Sequence, residues 1–193
     1  MVEPIFSSDW FSGSVPLWTE HFGHLINKTD ARFLEVGSWE GRSAHWIATN
    51  LLGISSTLDC VDTWKGSAEH DPSVAAQTWD VFQKNLEPFL SDKRVIAHQG
   101  KSTSILPRLI AEIEEGKRQA YDFVYIDGSH TTADVLMDAC LAFLLVKSGG
   151  FIVFDDYPSN GPALAIDSVL KCLEGKYAPV FSGWQIAIRK TST

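Results

Sequence analysis

Cysteine and methionine are scarce in this chain, with three and two copies among 193 residues. Cys60, Cys140 and Cys172 are odd in number and scattered, and each sits in an apolar pattern, which argues against a disulfide framework or a thiolate metal site. Buried thiols are the expectation. Long apolar runs are missing too: the longest, Ala139 to Val146, falls far short of the roughly 20 residues that span a bilayer. The start MVEPIFSSDW has no basic stretch leading into an apolar one, so the expectation is a soluble, cytoplasmic protein without a membrane partner. Positive charge is in deficit, with Lys and Arg at 16 against 24 Asp and Glu and a formal charge of −8. Such a surface repels phosphate backbones, which argues against nucleic acid as a partner. Neither the dinucleotide pattern G-x-G-x-x-G nor the hydrolase elbow G-x-S-x-G occurs. Both absences count, against a nicotinamide-dependent reductase and a serine hydrolase respectively.

What is present belongs to a foldable chain: 45% hydrophobic and 21% charged residues, with only 14 glycines and 8 prolines. The length suits one domain, 1–193, with an N-terminal helical segment over 1–30 placed to cover a site. Short apolar runs alternate with longer amphipathic ones, the pattern of a parallel sheet with crossover helices. Seven strands are expected, at Arg32 to Val36, Thr57 to Val61, Arg94 to His98, Asp122 to Ile126, Phe151 to Phe154, Ala178 to Ser182 and Trp184 to Arg189. Helices are expected at Val15 to Ile26, Arg42 to Leu51, Ala75 to Leu90, Ser104 to Glu115, Thr132 to Val146 and Pro162 to Leu173. Gly149 with Gly150, and Gly175, read as C-terminal helix stops, and Thr131 with Asp134 as a capping box. Only Gly183 separates the last two strands, so they form an antiparallel hairpin on a doubly wound, mostly parallel α/β sheet.

The chemistry sits at strand ends. Phe33 to Ser43 reads F-L-E-V-G-S-W-E-G-R-S, a strand that breaks into a glycine turn and re-emerges as a helix. Gly37 lets backbone approach a ligand, Gly41 lets the helix start close to the strand, and the helix N-terminus favours an anionic group. A plain structural turn is the alternative. Asp62 closes the second strand about 20 residues after that loop, where an acid can hold a ribose diol; a solvated carboxylate is its alternative. Gly100-Lys101-Ser102 imitates the tail of a P-loop, but Val95 stands where the loop's first glycine is required. Asp127 and His130 follow the fourth strand, and Asp155 with Asp156 follow the fifth. If these strands are neighbours, three carboxylates meet at one edge and a hard divalent cation relieves their repulsion; the alternative is a set of turn caps. His130 stands where an imidazole can take a proton from a hydroxyl, unless it only starts a helix. Trp10, Trp18, Trp46 and Trp184 read as packing residues, Trp39 and Trp64 as flanks of the site. His70 lies in a polar stretch, Gly66 to Ser73, suited to a substrate loop.

In their order, E-V-G-S-W-E-G-R-S, V-D-T-W, Y-D-F-V-Y-I-D-G-S-H and F-D-D-Y resemble the class I S-adenosylmethionine-dependent methyltransferases. The likeness is to Methyltransf_24-type families and related Mg²⁺-dependent O-methyltransferases, over Phe33 to Tyr157. The resemblance implies a Rossmann-like fold, with Glu35, Gly37 and Ser38 around the methionine part of the cofactor. It places Asp62 on the ribose hydroxyls and Gly100, Lys101 and Ser102 at the adenine, with Trp39, Gly41, Ser43, Thr63, Trp64 and Asp127 completing the cofactor's surroundings. It assigns Mg²⁺ to Asp127, Asp155 and Asp156, and catalysis to Asp127 and His130. Catechol-type enzymes carry a lysine where His130 stands and end their metal motif in Asp-Asn. The Asp-Asp pair here is closer to the macrolide-sugar O-methyltransferases. The expected reaction is O-methylation of a small hydroxylated acceptor, a sugar or natural product, and a homodimer is compatible with it. A catalytically silent binding or scaffold protein is the competing class.

Overall fold

The computed structural model describes residues 3–66 and 72–191. Seven strands, β1 (Arg32–Val36), β2 (Thr57–Asp62), β3 (Val95–Gln99), β4 (Tyr121–Ile126), β5 (Val146–Phe154), β6 (Tyr177–Ser182) and β7 (Ile186–Lys190), form one sheet in the order β3-β2-β1-β4-β5-β7-β6. The first five run parallel, and β7 inserts antiparallel between β5 and β6. Strand order reverses between β1 and β4, the place where an open α/β sheet leaves a crevice at its carboxyl edge.

Helices α1 (Val15–Phe22), α2 (Arg42–Asn50), α3 (Pro72–Ala75) and α4 (Thr78–Ser91) precede β3 in the chain; α5 (Ser102–Glu114), α6 (Thr132–Leu145) and α7 (Asn160–Cys172) follow it. The central strands are apolar on both faces because each face is covered. Trp18, Phe22, Ile47 and Phe82 pack with Phe33, Phe123 and Val153 in one core cluster. Leu106, Leu109, Ala139, Ile166 and Val169 pack with Leu34, Val124 and Ile152 in the other. Helix α1 is part of the first core: Trp18 meets Phe123 and Tyr125 edge-on, with ring centroids 5.2 and 4.9 Å apart.

Several expectations shift. Gly149 and Gly150 do not stop a helix: α6 ends at Leu145 and both glycines lie within β5. A side chain at Gly150 would press on Val146 and on the carbonyls of Asp122 and Lys147, so glycine serves close strand packing there. The long helix from Ala75 divides into α3 and α4, and α1 gives way at Gly23 to a single 3₁₀ turn, Gly23–Leu25. Cys60 is buried, whereas Cys140 and Cys172 are exposed, because an amphipathic helix leaves one stripe to solvent. Thr131 caps α6 by accepting the Asp134 amide, as its spacing requires. Among the described residues, no helix is long and apolar enough to cross a membrane.

Candidate active site

The carboxyl ends of β1, β2, β4 and β5 surround a cleft of about 710 Å³. Its base is tied together by backbone hydrogen bonds that carry the sheet ladder past the strand ends: Gly37 to Val61 (2.9 Å), Asp127 to Val36 (2.8 Å), Asp155 to Ile126 (3.0 Å) and Gly100 to Asp62 (2.8 Å). Gly37 has φ +87°, and a β-carbon there would collide with the Asp127 carbonyl. Only glycine lets the β1 loop cross so close to the β4 loop.

The cofactor-edge residues divide into two groups. Gly37, Ser38, Trp39, Ser43, Asp62, Thr63, Gly100, Lys101 and Ser102 line the cleft. Glu35, Gly41 and Trp64 support it from outside the lining. Gly41, at φ +85°, starts α2 against Leu86 of α4. Trp64 is buried and donates its indole N–H to the Trp39 carbonyl at 2.9 Å.

Asp62 does more than face a ligand. Its carboxylate accepts the Ser38 and Trp39 amides (2.8 and 2.9 Å) on one oxygen and the Trp64 amide (2.7 Å) on the other. It therefore clamps the β1 loop to the β2 loop, and of roughly four lone-pair sites one stays open to the cleft.

Glu35 lies beneath that loop, fully buried, with one carboxyl oxygen lacking a partner. Burial pushes its carboxyl up to about 7, against the weaker opposing pull of the neighbouring Ser38 and Ser43 hydroxyls. At the far side of the cleft burial likewise lifts Asp138, on α6, to about 6.

The acids after β4 and β5 form a second centre. Asp127, His130 and Asp156 bring ligand atoms within 4.8 Å of one another, and His130 Nε2 lies 2.8 Å from the Asp156 carboxylate. Burial, then the neighbouring Asp155 charge, holds the Asp127 carboxyl well above the usual carboxylate range. Asp155 is turned inward: one oxygen accepts the Tyr125 hydroxyl at 2.7 Å and the other the Asp156 amide at 2.9 Å. The chain bends there, with Asp156 at φ +51°, which is how adjacent acids reach different partners. The structure thus brings His130 into the group of potential donors with Asp127 and Asp156, while Asp155, also on the cleft wall, has both oxygens engaged by Tyr125 and the Asp156 amide. A site of two carboxylates and an imidazole fits a divalent cation, with a nitrogen donor in place of an all-oxygen set.

Two tryptophans differ from expectation. Trp10 and Trp184 are 65% and 64% exposed and line the cleft, because the N-terminal strap and the β6–β7 turn both pass its mouth. The strap is pinned there by the β1 loop: the Ser7 amide donates to Glu40 at 2.6 Å and Arg42 Nε to the Ser8 carbonyl at 3.0 Å. Nothing in the local pattern around residues 3–11 signals this, since the contacts reach more than 30 residues along the chain. His70 and the middle of the expected substrate loop lie outside the described residues.

Asp62→Ala is expected to cost about 1–3 kcal/mol of stability in the ligand-free protein, through lost charge-assisted hydrogen bonds to the loop amides. Urea unfolding checks this; unchanged stability would leave Asp62 facing only a ligand. Glu35 generates a pH effect of definite sign. Its folded carboxyl titrates at about 7 against the ordinary 4.5, so the folded state holds its proton longer and stability falls as pH rises through that window. The wild type should lose about 3 kcal/mol more than Glu35→Gln between those limits. Parallel stability–pH curves for the two would refute it.

Residues 34–157 match the model of a methyltransferase domain. A curated relative, uncharacterized protein R132 of Acanthamoeba polyphaga mimivirus, is 27% identical over 175 residues, covering 83% of this chain and 69% of that protein. Among solved structures, an O-methyltransferase from Bacillus cereus in complex with S-adenosylhomocysteine is similar at 17% identity and TM-score 0.65, over 97% of this chain and 84% of that one. The O-methyltransferase TomG from Streptomyces achromogenes, in complex with S-adenosylmethionine, gives 16% identity and TM-score 0.67, over 96% and 82%. MycE, in complex with Mg, S-adenosylhomocysteine and mycinamycin VI, gives 17% identity and TM-score 0.62, over 95% of this chain and 51% of that one. With its strand order, glycine turn and match over the segment that carries them, the chain belongs to the Methyltransf_24 family of methyltransferase domains.

Proposed function

We propose that the enzyme methylates a hydroxyl oxygen of a small acceptor, with a divalent cation at the acid centre. The observation that carries this is the placement of Asp127, His130 and Asp156 in the same cleft as the Gly37 and Asp62 loops. S-adenosylmethionine supplies an electrophilic methyl on a sulfonium, and the acceptor oxygen displaces S-adenosylhomocysteine as it loses its proton. The chain's own residues have three tasks. The Gly37–Gly41 turn and Asp62 hold the donor, with Gly100, Lys101 and Ser102 at its adenine end. Trp10 and Trp184 give the mouth flat apolar faces suited to a sugar or a ring-bearing natural product. His130 receives the hydroxyl proton, and Asp156, 2.8 Å from its Nε2, steadies the imidazolium that results. Asp127, His130 and Asp156 would hold the cation, which lowers the pKa of a hydroxyl bound to it. An imidazole that ligates a cation has no free lone pair for a proton, so with the cation bound His130 would be a ligand and the hydroxyl proton would pass to solvent, while without it His130 is the base.

MycE supports the reading as a structure of this fold holding Mg and mycinamycin VI, and TomG as an O-methyltransferase involved in tomaymycin synthesis. A catalytically silent binding role is the weaker reading, since the acid–imidazole group has no use in it.

Calorimetry with S-adenosylhomocysteine, with and without Mg²⁺, is the first test. Binding tighter than that of NADH is expected, and equal or tighter NADH binding would overturn the donor assignment. On an acceptor found by screening sugars, phenols and natural products, His130→Ala should lose roughly 10²–10⁴ in turnover with donor affinity unchanged. Turnover at the wild-type rate would remove His130 from the reaction.

A further inference from the structure

Three buried groups under the acid centre form a chain with one direction. Trp18, on α1, donates its indole N–H to the Gln185 side-chain oxygen at 2.7 Å. An indole nitrogen can only donate, so this bond settles which end of the amide is oxygen. The Gln185 nitrogen is thereby aimed at Tyr125, whose hydroxyl oxygen it meets at 3.3 Å. With a lone pair of that oxygen engaged, the Tyr125 proton points the other way, to Asp155 Oδ2 at 2.7 Å and Asp127 Oδ2 at 3.0 Å. All three side chains are buried, Trp18 and Tyr125 completely. They come from α1, the turn before β7 and the middle of the sheet.

We infer that Trp18, Gln185 and Tyr125 are positioning residues of the active site, a donor relay that fixes Asp155 and through it the Asp156–His130 pair. The causal order can be followed bond by bond. The Tyr125 hydroxyl holds one oxygen of Asp155, which leaves the other oxygen to accept the Asp156 amide. That amide contact goes with the left-handed conformation of Asp156, and the bend delivers the Asp156 carboxylate to His130. In this arrangement Asp155 acts on His130 through Asp156, with both of its oxygens engaged. A half-buried carboxylate deprived of its donor must seek another partner, so removing the hydroxyl frees Oδ2 of Asp155 and with it the orientation of the carboxylate. The inference deepens the proposed reaction, and only its metal readout rests on that proposal.

The variants Tyr125→Phe, which removes one oxygen and keeps the ring, and Gln185→Met, which removes the aiming N–H at similar volume, test the relay. S-adenosylhomocysteine affinity identifies a folded donor site and is expected to stay at the wild-type value. Crystal structures of the variants should show the Asp155 carboxylate rotated and the Asp156 carboxylate drawn away from His130. Calorimetric affinity for Mn²⁺ should fall by roughly 10–100-fold, the usual effect of removing a group that orients a ligand. Should Tyr125→Phe fail to bind S-adenosylhomocysteine, Gln185→Met carries the test. Carboxylates in their wild-type positions in a variant that binds S-adenosylhomocysteine would overturn the inference. Wild-type protein that binds no Mn²⁺ would overturn the metal reading alone, and the carboxylate positions would then decide on the relay.

Discussion

The structure depends on gathering carboxylates where water is scarce. Glu35, Asp127 and Asp155 end neighbouring strands β1, β4 and β5, close enough that the charges of Asp155 and Glu35 both lift the Asp127 carboxyl. Like charges in a low-dielectric crevice repel strongly, and a buried charge without a partner costs several kcal/mol. Each acid is met by a different device. Asp62 receives three backbone amides, Asp155 a hydroxyl and an amide, Asp156 an imidazole, and Glu35 holds its proton to about 7. These devices lie within the motifs themselves, but the groups that orient Tyr125 come from parts of the chain that the motifs do not contain. Helix α1 and the turn before β7 look like peripheral additions to a five-stranded parallel core, yet they end in Trp18 and Gln185, which stand directly behind the acids.

The division between what could and could not be read from the residues follows the range of the interactions. Strand positions for β1, β2 and β4 were legible because a strand covered on both faces must be apolar throughout, and Phe33-Leu34 and Phe123-Val124 announce it. The sheet edge carrying Asp62, Asp127, Asp155 and Asp156 was legible because an acid directly after an apolar run has only the strand end to occupy. Gly149 and Gly150 misled because glycine after a helical pattern has two meanings, helix stop and tight strand contact, and only the neighbouring Asp122 carbonyl chooses between them. Trp10 and Trp184 misled for the opposite reason: an aromatic residue is usually core, and only the tertiary path of the strap and the hairpin leaves these two exposed. Tyr125 and Gln185 carried no local signal at all. Their partnership spans 60 residues, and Trp18 reaches Gln185 across 167.

The acid-rich cleft imposes a condition on the proposed chemistry. A sulfonium donor is cationic, and its charge disappears as the methyl moves to oxygen. A field of unneutralised carboxylates therefore favours the donor's ground state over the transition state, the reverse of what accelerates a reaction. The orientation of the site answers this in two ways. Asp62 spends its charge on backbone amides and so faces the donor largely satisfied. Asp127 is pushed toward its neutral form by burial, and Asp156 is matched with His130. In the proposed reaction a cation or a proton at this centre would do more than acidify the acceptor: it would cancel the field that otherwise holds the methyl on sulfur. Positioning of the acids and neutralisation of their charge are then one problem. The same buried hydroxyl holds one oxygen of Asp155 and reaches Asp127, so one group serves both ends of that problem.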